Sequence, residues 1–409
     1  MEAASGRRLT DRVERAVAWL LNESHLMRPE HLPLLVDQAA RGMGASGCRI
    51  YLIARDQRDL VPLSVLSHAG RGPDTDTLNL DGTVAGRSYR NTEVILSSGE
   101  PERVWVPLLD GTERLGVLEI VAGQGGDASS LREACLPFAA LVAELVVSKG
   151  QYTDTFERVR RALPMGVPSE MLWRLLPPLT FATDRFVVTA QLEPWNEVGG
   201  DAFDYSISGD VLRFAVFDGM GHGLSATLLA SVAVAAYRNA RRVDLDLVQT
   251  ASAIDAVLSQ QFGSESFVTA VLAELDLPNG VLRALSAAHP PPLLVRRGKS
   301  LGQLDVPPGL PLGFGDRDDI VVTASLEPAD RLLMFSDGVV EARSAEGEFF
   351  GIERLEELLL REEAHRQPPP ETLRRLILAV LDHQQDTLQD DATLLMLEWG
   401  GDSGAVLMS

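Results

Sequence analysis

The sequence is poor in cysteine, short of basic residues and without a long apolar run. Of 409 residues only two are cysteines, Cys48 and Cys135, so neither a disulfide framework nor a thiolate metal knuckle is expected. Lys and Arg number 37 against 58 Asp and Glu, a formal net charge of −21. That deficit of positive charge argues against nucleic acid as substrate, because phosphate backbones are held by basic patches. It equally disfavours docking on a membrane of anionic lipid. The most apolar stretch, Leu224 to Tyr237, is too short to span a bilayer and ends at Arg238, which reads as a buried helix. Residues 1–10 carry arginines but no following run of signal-peptide type. A soluble, cytoplasmic protein is the expectation. The remaining composition, 45% hydrophobic and 23% charged, suffices for conventional cores in two or three domains.

Three regions are expected. Residues 9–148 open with a helical pattern (Val13, Ala16, Val17, Leu20, Leu21) and a second helix from His31 to Met43. Strand-like runs follow at Cys48–Ile53, Val94–Leu96, Val104–Leu108 and Gly116–Val121, with a hairpin signal at Asp110-Gly111 and a closing helix from about Ser130 to Val147. Residues 149–180 form a charged helical connector interrupted by Pro164 and Pro168, with Met171, Leu172, Leu175 and Leu176 on one face. Such a connector is compatible with a homodimer, although its heptad signal is short. Residues 181–399 alternate strands in a meander with paired helices, which predicts two antiparallel sheets between helical layers. The segment after Trp399 is expected to be an unstructured tail.

Four acidic signatures recur through this last region: Glu197-Val198-Gly199-Gly200-Asp201 with Asp204, Asp218-Gly219-Met220-Gly221-His222-Gly223, Ser336-Asp337-Gly338, and Asp390-Asp391-Ala392-Thr393. Each sets an aspartate at the end of an apolar run, mostly beside glycine. Any one acid is explained by a turn or a helix cap. Four at sheet ends are better explained by a metal site, and without a His/Cys cluster the fitting ions are Mg²⁺ or Mn²⁺. Asp218 is expected to end a strand, with the glycines at 219, 221 and 223 letting the backbone turn sharply and the Gly219 carbonyl approach a cation. Asp201, on the neighbouring strand of a hairpin, should lie beside Asp218. No Cys-x5-Arg loop and no Ser-His-Asp set is present to supply a nucleophile.

These signatures, with Gly309-Leu310-Pro311-Leu312-Gly313, closely resemble the PPM-type serine/threonine phosphatases, specifically their bacterial SpoIIE-like branch. The resemblance implies an αββα sandwich over 181–399 and a two-ion site activating water for attack on phosphorus. It assigns Asp201 to one ion, Asp218 to both, and Asp337 and Asp390 to the other, with the Gly219 carbonyl a further ligand and Glu197 in an outer, water-orienting role. Asp204, His222 and Asp391 are candidate supports. His289 recurs in the family near the site, but here it follows Ser286-Ala287-Ala288 where the family commonly has Asn-Ala-Gly. No organic cofactor is implied. The implied substrate is a phosphorylated regulatory protein, typically an anti-anti-sigma factor. Two rivals are a hydrolase of small phosphoesters and a non-catalytic sensor or scaffold keeping the fold. The first region resembles a GAF domain through Gly82-Thr83-Val84-Ala85-Gly86, Val104-Trp105-Val106-Pro107-Leu108 and Leu115-Gly116-Val117-Leu118-Glu119-Ile120, giving an α+β chain with a regulatory module ahead of a catalytic one.

Overall fold

The computed structural model describes every residue except Met1, 65–75, Ser98, Glu100, 124–130, 133–134, 162–164, 194–198, Ser264, 386–387, Asp402 and 408–409, with backbone alone for 2–10, 405 and 406. Two compact units emerge, Met1–Pro164 with Val406–Ser409, and Met165–Ala405. Among the described residues no helix is long and apolar enough to cross a membrane.

The first unit is built on a six-stranded antiparallel sheet. Its strands are β1 (Ala45–Ile53), β2 (Asp59–Pro62), β3 (Leu78–Asn79), β4 (Ile95–Ser97), β5 (Arg103–Asp110) and β6 (Glu113–Ala122), in the order β3-β2-β1-β6-β5-β4. Both faces of β5 are buried, so its apolar run is nearly continuous. Val104, Val106 and Leu108 join Leu20, Val36 and Phe138 from the helices Glu2–Ser24, Leu32–Met43 and Leu136–Gly150. Trp105 points the other way, into a cluster with Tyr51 and with Tyr89 of the helix Val84–Asn91. Thr83 caps that helix by accepting from the Gly86 amide. The Asp110-Gly111 signal is realised as the β5–β6 hairpin, with Gly111 at φ +58°. One expectation fails here: Leu21 is 48% exposed rather than on the apolar face. The closing helix is interrupted, with Leu131 and Arg132 helical, a bend at Cys135 and a continuous helix from Leu136. Strands β2 and β3 escape sequence reading because four and two residues are too few for a period. His68 falls outside the described residues.

The second unit holds two six-stranded sheets. One contains β9 (Gly199–Ser208), β10 (Val211–His222), β11 (Val268–Asp276), β12 (Val281–Ala287), β15 (Pro308–Gly309) and β16 (Val322–Ser325), with β15 and β16 both pairing with β12. The other runs β14 (Lys299–Gln303), β13 (Leu293–Arg296), β17 (Asp330–Phe335), β18 (Ala392–Trp399), β8 (Phe186–Glu193) and β7 (Thr180–Ala182). Among the described residues the strands pair antiparallel except for the two-residue β12–β15 contact, beside an isolated parallel bridge between Ala270 and Ala288. Alternation along β18 shows the layering: Leu395 and Leu397 join the core shared with β8, β10 and β11, whereas Leu394 and Met396 pack with the helices Ile352–Ala364 and Pro369–His383. Helices Gly223–Arg242 and Leu247–Phe262 cover the first sheet. This is the expected α+β architecture of two sheets between helical layers.

The connector is two short helices, Thr155–Arg160 and Val167–Leu175, with Pro168 in the first turn of the second rather than breaking it. Leu172 of the second is buried, with Leu175 and Leu176 packed beside it. After Trp399 a short helix, Ser403–Val406, replaces the expected tail. Gly404 sits so close to the Thr183 carbonyl that a Cβ there would lie 2.3 Å from it, so this segment folds back rather than trailing away.

Candidate metal centre

Asp201 and Asp218 lie directly opposite each other on β9 and β10, and Asp218 also faces Thr269 of β11. Asp218 does not end its strand. Pairing continues through Gly219, opposite Val268, and the ladder shifts only between Asp218 and His222, where Gly221 takes φ +90°. Of the three glycines expected to turn the backbone, Gly221 and Gly223 take positive φ while Gly219 stays in the ladder. Glycine at 200 serves close approach, since a Cβ there would lie 2.3 Å from the Gly219 carbonyl oxygen.

The second sheet supplies the remaining acids. Asp337 opens the helical turn Asp337–Val340 after β17, and Asp390 and Asp391 immediately precede β18. Asp391 is buried and turned onto β9: its Oδ1 accepts from the Gly199 amide at 2.9 Å, and its Oδ2 from the Asp201 amide at 3.4 Å. Its own amide donates to Asp390 Oδ1 at 2.9 Å. Gly338 allows the turn to nestle here, because a Cβ would meet the Asp391 carbonyl at 2.1 Å.

Crowding of carboxylates in a buried place has the expected electrostatic result. Burial, then the charges of Asp218 and Asp391, hold Asp201 well above the usual carboxylate range, opposed by the hydroxyls of Ser336 and Thr393. Asp218 is pushed up to about 7, first by burial and then by Asp337, Asp390 and Asp391. Asp390 is raised too, mainly by burial, although the Asp391 amide opposes the rise. Asp201 Oδ2 is buried and has no hydrogen-bond partner. A divalent cation would satisfy that oxygen and relieve the repulsion, and the all-oxygen donor set suits Mg²⁺ or Mn²⁺. Among the described residues no three acidic, His or Cys side chains converge into a ready cage. The fit is thus one of charge and donor type.

Other candidates are placed elsewhere. Asp204 is three residues beyond Asp201 and so on the opposite face of β9. There it is buried against helix Gly223–Arg242, paired with Arg238 Nε at 2.6 Å and Arg241 Nη2 at 2.9 Å. His222 is exposed and precedes that helix without capping it through its side chain. His289 is buried, its Nδ1 lies 2.8 Å from Thr269 Oγ1, and burial pushes its pKa down to about 4. Glu197 lies outside the described residues.

With this geometry in view, comparison with known proteins bears on the second unit. The profile of the SpoIIE family, stage II sporulation protein E, matches residues 208–400. The matched residues lie within the second unit. Over 206 residues the chain is 26% identical to the protein named phosphoserine phosphatase RsbU of Bacillus subtilis, covering 50% of this chain and 60% of that one. It is 22% identical to protein IcfG of a Synechocystis strain over 267 residues, covering 57% of this chain and 39% of the other. The chain therefore spans less than two thirds of either curated relative. Among solved structures, the RsbU and RsbW domains of a Mycobacterium tuberculosis protein superpose with a TM-score of 0.47 at 26% identity, covering 53% of this chain and 60% of that one.

The second unit also contains participants that sequence reasoning passed over. Ser336 and Thr393, whose hydroxyls oppose the rise at Asp201, stand inside two of the quoted signatures, one before Asp337 and one two residues after Asp391. Their place in those signatures was the available signal. Arg238 and Arg241, the partners of Asp204, carried none, since the apolar run before them announces only a buried helix.

Proposed function

We propose that the second unit hydrolyses phosphoserine and phosphothreonine on a regulatory protein, with two Mn²⁺ or Mg²⁺ ions held by Asp201, Asp218, the Gly219 carbonyl, Asp337 and Asp390. The observation that carries this reading is Asp201 opposite Asp218, with an unpaired buried oxygen on one and a pKa near 7 on the other. When bound, the ions would neutralise phosphoryl charge and activate water for in-line displacement. The chain's own contribution is positioning. Asp391 holds the start of β9 through the Gly199 and Asp201 amides, which fixes the Asp201 carboxylate relative to Asp218. The sheet pairing of Gly219 sets where its carbonyl points. Glu197 takes the outer role implied by its signature.

Support for a phosphoserine substrate comes from the name of the Bacillus subtilis relative, and the family resemblance points to a regulatory protein, an anti-anti-sigma factor. On this reading residues 9–148 are a GAF-like regulatory module, 149–180 a connector, and the protein acts in the cytoplasm. The test is turnover of a phosphoserine protein and of p-nitrophenyl phosphate in Mn²⁺, Mg²⁺ and EDTA. Metal-dependent turnover with preference for the protein is expected. Preference for the small ester would favour the rival hydrolase, and no turnover of either in any metal would favour the scaffold.

A further inference from the structure

A cavity of about 470 Å³ lies within the second unit, on the face of β9 opposite the acidic cluster. Its wall includes four arginines, Arg213, Arg238, Arg241 and Arg242, with two acids, Asp204 and Asp244. In a chain of net charge −21 such a concentration of guanidinium groups is against the general trend. The positive excess survives an accounting of ion pairs. Asp204 is shared by Arg238 and Arg241, and Glu274 takes Arg213 Nε at 2.9 Å. The Asp244 contact with Arg213 is 3.4 Å long and its side chain 80% exposed, so it neutralises little. Arg242 is exposed on the same rim.

Donor capacity also remains. A guanidinium offers five N–H groups. Arg241 spends Nη2 on Asp204, while its Nη1 is buried without a hydrogen-bond partner. Arg238 spends Nε on Asp204 and Nη2 on the Leu175 carbonyl. Planar forks of this kind suit phosphate oxygens.

We propose that this cavity binds a small anion bearing phosphate groups. The volume is in the range of small-molecule sites and admits a ligand larger than phosphate itself. Arg241 and Arg242 are the principal contacts: Arg242 brings exposed charge, and Arg241, which shares Asp204 with Arg238 and stacks on the Tyr237 ring, keeps Nη1 without a hydrogen-bond partner. The proposal stands apart from the phosphatase reading: the acidic cluster is on the other face of the strand, and without metal it repels anions.

The experiment is calorimetric titration of the full chain with inorganic pyrophosphate, in EDTA and at KCl-matched ionic strength. Saturable one-site binding is expected, weakened about tenfold or more in Arg241→Gln/Arg242→Gln and unchanged in Asp218→Asn. Arg242→Gln alone, at an exposed position, keeps the test valid should the double variant misfold, and it too should weaken binding. Absence of binding by the wild-type chain, equal binding by Arg242→Gln, or loss of binding in Asp218→Asn would each overturn the proposal.

Discussion

At Asp218 burial and three neighbouring carboxylates raise the acid's pKa to about 7. Between the usual carboxylate value and 7 the folded chain therefore holds a proton that the unfolded chain has released. Stability from this group is present at low pH and falls as pH rises through that window. Metal-free protein at pH 8 should consequently gain from Asp218→Asn, which removes the charge and keeps the shape. Melting curves in EDTA are expected to place the variant above wild type at pH 8, with the gap closing towards pH 5. A variant no more stable than wild type at pH 8 would mean that the crowding at this residue is overstated. Asp204 predicts the reverse. Removing its carboxylate by Asp204→Ala leaves Arg238 and Arg241 without their acid and should cost on the order of 2–4 kcal/mol. Because it lies on the other face of β9, the Mn²⁺ requirement for turnover should not move. A changed Mn²⁺ titration at unchanged stability would return Asp204 to the metal centre.

The helix Val167–Leu175 leads into β7 and β8 ahead of the β9 acids, and Leu172 is fully buried in the core of the second unit, with Leu176 half-buried beside it. We expect this helix to tune the site rather than merely join the units. Leu176→Gln, at the less buried position, should shift the apparent Mn²⁺ requirement of the full chain while cooperative unfolding persists. Superimposable Mn²⁺ titrations for wild type and variant would leave the helix a passive joint. Elements were legible in the sequence where period and length agreed. The helix expected from His31 to Met43 runs Leu32–Met43, and Asp201 lies beside Asp218 as the hairpin reading requires. What escaped were elements too short for a period, such as β3 and β15, and contacts made across sheets, such as Asp391 on the Gly199 amide. A signature shows that an acid is wanted; only packing shows whether it faces the neighbouring acids or, like Asp204, a helix.

At the scale of the molecule, the core of residues 165–405 is made by its own two sheets and their helices. A fragment of those residues should fold alone and unfold cooperatively; a broad, non-cooperative melt would show that it depends on the first unit. The acidic cluster lies at the meeting of its two sheets, with Asp201 and Asp218 from one and Asp337, Asp390 and Asp391 from the other, so the site forms only when both sheets are in place. The central claim is that this convergence is a metal-dependent phosphatase centre. It is tested most directly by the rate of phosphoserine-protein hydrolysis in saturating Mn²⁺ for wild type and Asp218→Asn. The account predicts turnover that EDTA abolishes and that the substitution lowers by at least about 100-fold, the scale of losing a key electrostatic group. Near-normal turnover by Asp218→Asn in saturating Mn²⁺ would contradict it.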